Sequence, residues 1–492
     1  MLKMKKKTVY VSRRAFLGLG AVSSALLLSG CVNLAPAYKQ PAAPAETTGR
    51  WAVDPAAAGV KQAELVVWEQ FFLDERLKKV IRMALDNNRD LRRAMLEVER
   101  LRALYRVSRA DLFPSVSATA SGSHARSSVD TLTPGASRIS HVYAADLAMS
   151  SYEIDFFGRI RNLNEQALQA YLAGEDAHRS AQNTLIAEVA TMWLSIGADH
   201  AALDLANTTL RSQQQTYSLV EKSYQSGTAN KLELSQSQQT VASAKASVQV
   251  AQNSLTQDEN ALRLLVGAEV PQELLPRQIS LKATLPASLP AGLPSEVLLR
   301  RPDIAEAERN LRSANASIGV ARAAFFPRVA LTGAIGTAST DLSDLFSGGR
   351  GTWSFAPTVS LPIFQGGANV ANLEAAKVYQ KEMVAAYEKA IQSAFREVND
   401  ALSTESTVTK RLAAQDELVK ASETAYDLAM TRYKHGVDNF LSVLDAQRTM
   451  VAAQQTQIQT QLSRAASLVT LYKVLGGGQE IENPVRGGNK AS

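Results

Sequence analysis

Few side chains in this sequence are spaced for chemistry. Leu441, Asp445 and Arg448 stand at i, i+4 and i+7, which puts an apolar group, a carboxylate and a guanidinium on one helix face. Residue type alone makes Asp445 and Arg448 a surface ion pair worth ~0.2–0.5 kcal/mol. The five histidines (His124, His141, His178, His200, His435) have neither metal-ligand spacing nor a nucleophile partner, and read as polar or capping residues. There is no phosphate loop and no methionine cluster for soft metals. Gly348-Gly-Arg-Gly351 suits a loop tip between strands better than an anion site. No catalytic constellation, metal site or cofactor is expected.

The elements that position these residues occur twice. Tyr433-Lys-His-Gly436 turns the chain and opens a helix towards Leu475, and Tyr224-Gln-Ser-Gly227 does the same 209 residues earlier. The match is gapless to Gly267 and Gly476, so the chain is a tandem duplication of one helical hairpin. At that offset Leu441, Asp445 and Arg448 fall on Leu232, Gln236 and Gln239. The leucine is kept and both charges become amides, so only the second hairpin is expected to carry a charged switch. No proline lies between Arg159 and Val270, nor between Ile363 and Asn483, which predicts long helices. A continuous helix over 159–226 would reach roughly 100 Å at ~1.5 Å per residue. Leu234, Val241, Val248, Leu255 and Leu262 repeat every seven residues, a coiled-coil seam; Ala244, Ala251 and Leu265 form its neighbour, interrupted by Asp258.

Ordered structure is expected to begin at Trp68–Leu73. A helical pattern over Asp90–Ala110 stops at Phe113-Pro114, and Asp303 restarts it 213 residues on. Strands are expected over 115–123, 143–154, 328–336 and 352–363. Val329, Leu331, Gly333 and Ile335 alternate with small residues, as do Trp353, Phe355, Val359, Leu361 and Ile363. That period suits a strand with lipid on one side and water on the other; a soluble sheet over a core is the alternative. Four strands cannot enclose a channel, and an open edge is not tolerated in lipid, so other copies of the chain must complete the sheet.

Residues 1–30 read as an export signal. Lys3, Lys5, Lys6, Lys7, Arg13 and Arg14 precede an apolar run that leads into Leu28-Ser-Gly-Cys31, which resembles a lipobox. Cys31, the single cysteine, is the expected lipidation site. Ser12-Arg-Arg-Ala-Phe-Leu17 also resembles a twin-arginine signal, so the export route stays open. The leader holds six of the 53 basic residues and no acid, leaving 47 bases against 47 acids. Nucleic acid therefore loses its electrostatic warrant as a partner. The expected segments are the signal (1–30), a lipidated extended arm (31–60), a first repeat (61–270), a Pro-rich linker (271–302), a second repeat (303–478) and a tail (479–492).

Gly436-Val-Asp-Asn-Phe-Leu-Ser-Val-Leu-Asp-Ala-Gln-Arg448 resembles the signature of the TolC-like outer membrane factors, in their OprM-like lipoprotein branch. Tyr152-Glu-Ile-Asp-Phe-Phe-Gly-Arg159, Leu299-Arg-Arg-Pro-Asp-Ile304, Ala323-Ala-Phe-Phe-Pro327 and Leu361-Pro-Ile-Phe-Gln-Gly-Gly367 extend the likeness from about residue 60 to Gly478. The resemblance implies an α+β membrane protein: a homotrimer with a 12-stranded transmembrane β-barrel, four strands per chain, continued by a long α-helical coiled-coil tunnel in the periplasm. It implies an outer membrane efflux channel, a passive exit duct served by a periplasmic adaptor (membrane fusion protein) and an inner-membrane RND-type transporter. It further implies that Leu441, Asp445 and Arg448 form a periplasmic gate and that the hairpin tips at Gly227 and Gly436 meet the adaptor. An outlet for type I protein secretion, or a periplasmic coiled-coil adaptor lipoprotein, are the alternatives.

Overall fold

A computed structural model describes residues 32–44, 67–131, 133, 135, 137–280, 284–285 and 301–477. The export signal, Cys31, the whole of the arm beyond residue 44, most of the Pro-rich linker and the residues from 478 on lie outside the described residues. The elements in order are α1 (Trp68–Phe71), α2 (Glu75–Asn87), α3 (Arg89–Ala110), β1 (Val116–Arg126), β2 (Ile139–Ile154), α4 (Arg159–Gln225), α5 (Lys231–Val266), α6 (Pro302–Ala323), β3 (Arg328–Ser339), β4 (Gly351–Ser360), α7 (Ala368–Lys434) and α8 (Phe440–Val474). The long helices α4 and α7 have 67 residues each and begin 209 residues apart, so the duplication holds to the residue. The chain divides into two compact units, and each long helix contributes to both.

One unit gathers 1–41, 100–172 and 308–385, and holds the sheet. Its order is β1-β2-β3-β4, antiparallel throughout, so β1 and β4 are edges. Alternation and register put Val116, Leu147, Met149, Ile335, Trp353, Phe355 and Val359 on one face and Ser117, Thr119, Asp146, Thr332, Ser354 and Thr358 on the other. The apolar face is bare, with Trp353 80% exposed. The register shifts between Met149 and Tyr152, where Ser151 takes a φ of 52°. That extra residue keeps Tyr152 and Ile154 on the face of Leu147 and Met149 despite the changed parity. β1 alternates weakly in sequence because its apolar face carries Ala118, Ala120 and Gly122. β1, β2 and β3 run longer than expected, whereas β4 ends at Ser360, short of 363. Pro362 has no N–H to continue a ladder.

The other unit gathers 42–99, 173–307 and 386–492, and holds the main core. Phe71 stacks on Tyr472 with ring centroids 4.3 Å apart, and the Trp193 indole donates to the Leu274 carbonyl at 2.8 Å. α2, which the sequence reading leaves unassigned, is capped by Asp74, whose carboxylate accepts from the Arg76 N–H, and buries Leu77, Val80, Ile81 and Ala84. On α5 the heptad line is buried at Leu255 and Leu262, with Ser237 and Ala244 buried on its neighbour. On α7, Tyr387, Ile391, Ala394, Val398 and Ala401 are buried at alternating spacings of four and three, again a coiled-coil seam.

Candidate functional site

The two hairpin turns have the same backbone logic. α4 ends with Gly227 at φ 77°, the Gly227 N–H bonded to the Tyr224 carbonyl and the Thr228 N–H to Ser223. α7 ends with Gly436 at φ 71°, with Gly436 bonded to Tyr433 and Val437 to Arg432. Both are Schellman caps, which need a residue with positive φ. A Cβ at either glycine would touch nothing within 4 Å, so backbone conformation and not space demands glycine. Asn230 and Asn439 then cap the next helices, accepting from the N–H of Glu233 at 2.9 Å and Ser442 at 3.1 Å. The turns differ in charge. Arg432 and Asp438 form an ion pair at 2.9 Å across the second, where the first has Ser223 and Ala229.

Past the second cap, Phe440, Val443 and Leu444 are buried with Val220 of α4, against Tyr426, Met430 and Tyr433. Burial raises the pKa of the Tyr433 hydroxyl, helped by the Glu233 carboxylate. This packing fixes the rotation of α8 and leaves Leu441, Asp445 and Arg448 on its open side, all exposed. Leu441 is 57% exposed although apolar. Among the described residues Asp445 and Arg448 form no ion pair, contrary to the surface-pair reading of their spacing. At an exposed site, hydration and side-chain entropy cancel most of what such a pair would gain. Leu232, Gln236 and Gln239 take the matching positions on α5. The first hairpin thus repeats the geometry without the charge.

Residues that the sequence reading assigned no role hold the frame. Glu153 accepts twice from Arg159 at 2.8 Å and from Arg328 at 2.6 Å, clamping the β2–α4 junction to the start of β3. Asp155 accepts from the Arg161 N–H at 2.9 Å, and Phe157 stacks on Phe326 at 4.7 Å. Buried Arg301 binds Asp303 and Glu397, each at 2.8 Å, and donates to the Val474 carbonyl at 2.8 Å. It joins α6, α7 and the end of α8. The motif strings around these residues are the only sequence signal for the contacts with Arg328, Glu397 and Val474, whose partners are distant in sequence.

The start of the described chain is docked. The Val32 N–H donates to the Phe156 carbonyl at 2.9 Å, beside the β2–α4 junction. The carbonyls of Leu34 and Pro36 accept from Arg322 and Asn315, and the Tyr38 hydroxyl reaches Glu308 at 3.3 Å. Residues 32–38 therefore run antiparallel along α6. Burial, with Glu308 adding to it, pushes the Tyr38 hydroxyl up to about 12. Elsewhere Asp199 on α4 is pushed up to about 6 by burial and by the Asp258 carboxylate on α5. Among the described residues no group of three or more His, Cys, Asp or Glu could hold a metal. No described helix is long and apolar enough to cross a membrane.

A family model described as outer membrane efflux protein matches residues 80–268 and 293–477. The chain is 44% identical over 459 residues to the probable efflux pump outer membrane protein TtgC of Pseudomonas putida, covering 92% of this chain and 94% of that one. It is 40% identical over 466 residues to the outer membrane protein OprJ of Pseudomonas aeruginosa, covering 95% and 97%. The open-state MtrE outer membrane channel of Neisseria gonorrhoeae superposes with a TM-score of 0.80 at 38% identity, covering 91% of this chain and 98% of that one.

Proposed function

This chain belongs to the outer membrane efflux protein family, and from that premise we propose how it works as the outer membrane channel of a tripartite efflux system. The functional unit is a homotrimer. Each chain brings four strands whose two edges are unpaired within the chain and whose apolar face is bare. In lipid such edges must be closed by further strands, and three copies give a barrel of about 12. That open, greasy sheet is the observation that carries the reading. The duct is passive, and energy enters through an inner-membrane RND-type transporter joined by a periplasmic adaptor. The turns at Gly227 and Gly436 are the adaptor contacts.

Leu441, Asp445 and Arg448 form the gate. Brought together from three chains, the leucines would narrow the opening with an apolar ring, and the carboxylates would repel unless a guanidinium lay between them. The absence of an intrachain Asp445–Arg448 pair among the described residues leaves both charges available to neighbouring copies. Cys31 carries lipid. Docking of Val32 at the β2–α4 junction would set that lipid beside the end of the sheet, where a leaflet would lie. Cys31→Ser is expected to abolish palmitate labelling, and continued labelling would sink the assignment.

The test is in-cell photo-crosslinking from Thr228 and Val437, with mass spectrometry of the products. An adaptor accompanied by a proton-driven pump is the expected capture. An adaptor of a secretion ATPase would move the protein to type I secretion.

A further inference from the structure

The β1–β2 hairpin sets two histidines opposite one another. His124 and His141 are register partners, 17 residues apart in sequence. Both are exposed, with ring centroids 4.7 Å apart and planes at 71°. Their Nδ1 atoms face each other at hydrogen-bonding distance. Two imidazoles turned this way can share one proton. They can also share one metal cation once the rings part by a few tenths of an ångström, to the ~2.9 Å that two ~2.0–2.1 Å bonds at right angles require, because each Nδ1 presents a lone pair when the ring hydrogen sits on Nε2.

A ligating imidazole also needs an acceptor for that Nε2–H, which fixes the tautomer and orients the ring. Tyr143, two residues beyond His141 on the same face, provides one for His124. Its hydroxyl lies 3.5 Å from His124 Nε2, at the long limit of a hydrogen bond, and the rings meet edge to face with centroids 5.4 Å apart. A phenol can donate or accept, so it serves His124 in either tautomer.

We propose that His124 and His141 form a two-nitrogen site for one divalent transition-metal ion, of the Cu2+, Ni2+ or Zn2+ type, at the turn end of the β1–β2 hairpin. Imidazole nitrogen selects these ions over the hard Mg2+ and Ca2+. The pair lies on the sheet's apolar face, but at its far end next to Arg126, where water reaches it and fills the remaining coordination positions; among the described residues no third histidine or carboxylate joins the pair. Arg126 is next on that face, opposite Ile139, and its charge keeps the affinity modest. β1 is the outer strand of this chain's own sheet, so a bound ion would pin it to β2 near the end of the hairpin.

The experiment is a Cu2+ titration of untagged, chelator-washed full-length protein in detergent, followed by electron paramagnetic resonance. One Cu2+ per chain with two coupled nitrogens is expected. Tyr143→Phe, which removes an outer-shell partner, weakens binding by about tenfold, His124→Ala or His141→Ala weakens it more, and His435→Ala leaves it unchanged. A second reading needs no variant: bound Zn2+ should protect His124 and His141 together from diethyl pyrocarbonate, as mapped by mass spectrometry. Binding that survives both alanine variants, protection of other histidines instead, or no Cu2+ signal at sub-millimolar metal would each overturn the site.

Discussion

At the scale of single residues, exposure separates the proposed gate from ordinary surface. Leu441 is an apolar side chain left bare on a helix whose other side is buried, and Asp445 and Arg448 beside it form no ion pair among the described residues. If copies of this face meet around an axis, Asp445→Ala removes the charged half of the constriction and the Arg448 guanidinium loses its counter-charge. Single-channel conductance in planar bilayers should then rise several-fold, while Gln236→Ala at the matching amide of the first hairpin leaves it unchanged; equal currents in all three proteins would refute a charged gate. Arg301 is the opposite case, a charge whose role is architectural. Its side chain is 10% exposed and its partners Asp303 and Glu397 are 39% and 37% exposed. Arg301→Ala should cost about 3 kcal/mol, the low end for breaking a buried pair, because the stranded carboxylates still reach water. Thermal unfolding checks this. The spacing of Leu441, Asp445 and Arg448 was legible in the sequence because a helix face is a local property. The role of Arg301 was not, since Glu397 and Val474 come from helices far along the chain.

At the scale of elements, the long helices and their turns were legible for physical reasons that act locally. Absence of proline marks the helices, and a glycine followed by a capping asparagine marks each turn. α2 carries the same kind of evidence in Leu77, Val80, Ile81 and Ala84 behind Asp74, although its many charges obscure the pattern. The seam break at Asp258 shows what sequence could not tell. Asp258 faces Asp199 on the neighbouring helix, and burial with that second carboxylate raises Asp199 to about 6. The sign follows from linkage. The unfolded chain releases this proton near pH ~3.9 and the folded chain near 6, so between those values the folded state holds more protons. Stability is therefore unaffected well below pH ~4, declines as pH rises to about 6, and stays reduced above it. Asp199→Asn should raise the melting temperature at pH 7.5 and leave it unchanged at pH 4, and an equal shift at both would exclude titration as the cause.

At the scale of the whole molecule, the decisive feature is a sheet that one chain leaves unfinished. Alternation in β3 and β4 was readable because both faces contrast, large apolar against small polar. β1 was harder, because small residues stand where apolar ones do elsewhere, and the bulge at Ser151 reverses parity within β2. The register resolves both, and makes the two faces testable by one kind of substitution. Arginine on the lipid face of a barrel costs ~2–4 kcal/mol at the bilayer midplane, whereas on the inner face it meets water. Leu147→Arg and Ile335→Arg lie on the bare apolar face, and Thr332→Arg and Ser354→Arg on the small polar one. Outer membrane fractions should show the first two depleted of assembled trimer and the last two assembled, with altered ion selectivity. A soluble sheet with its apolar face against a protein core would also reject Leu147→Arg, but it would show no membrane-fraction trimer and no selectivity change for any variant. The combination of face-specific loss with altered current in the tolerated pair is what a lipid-facing, water-filled barrel requires.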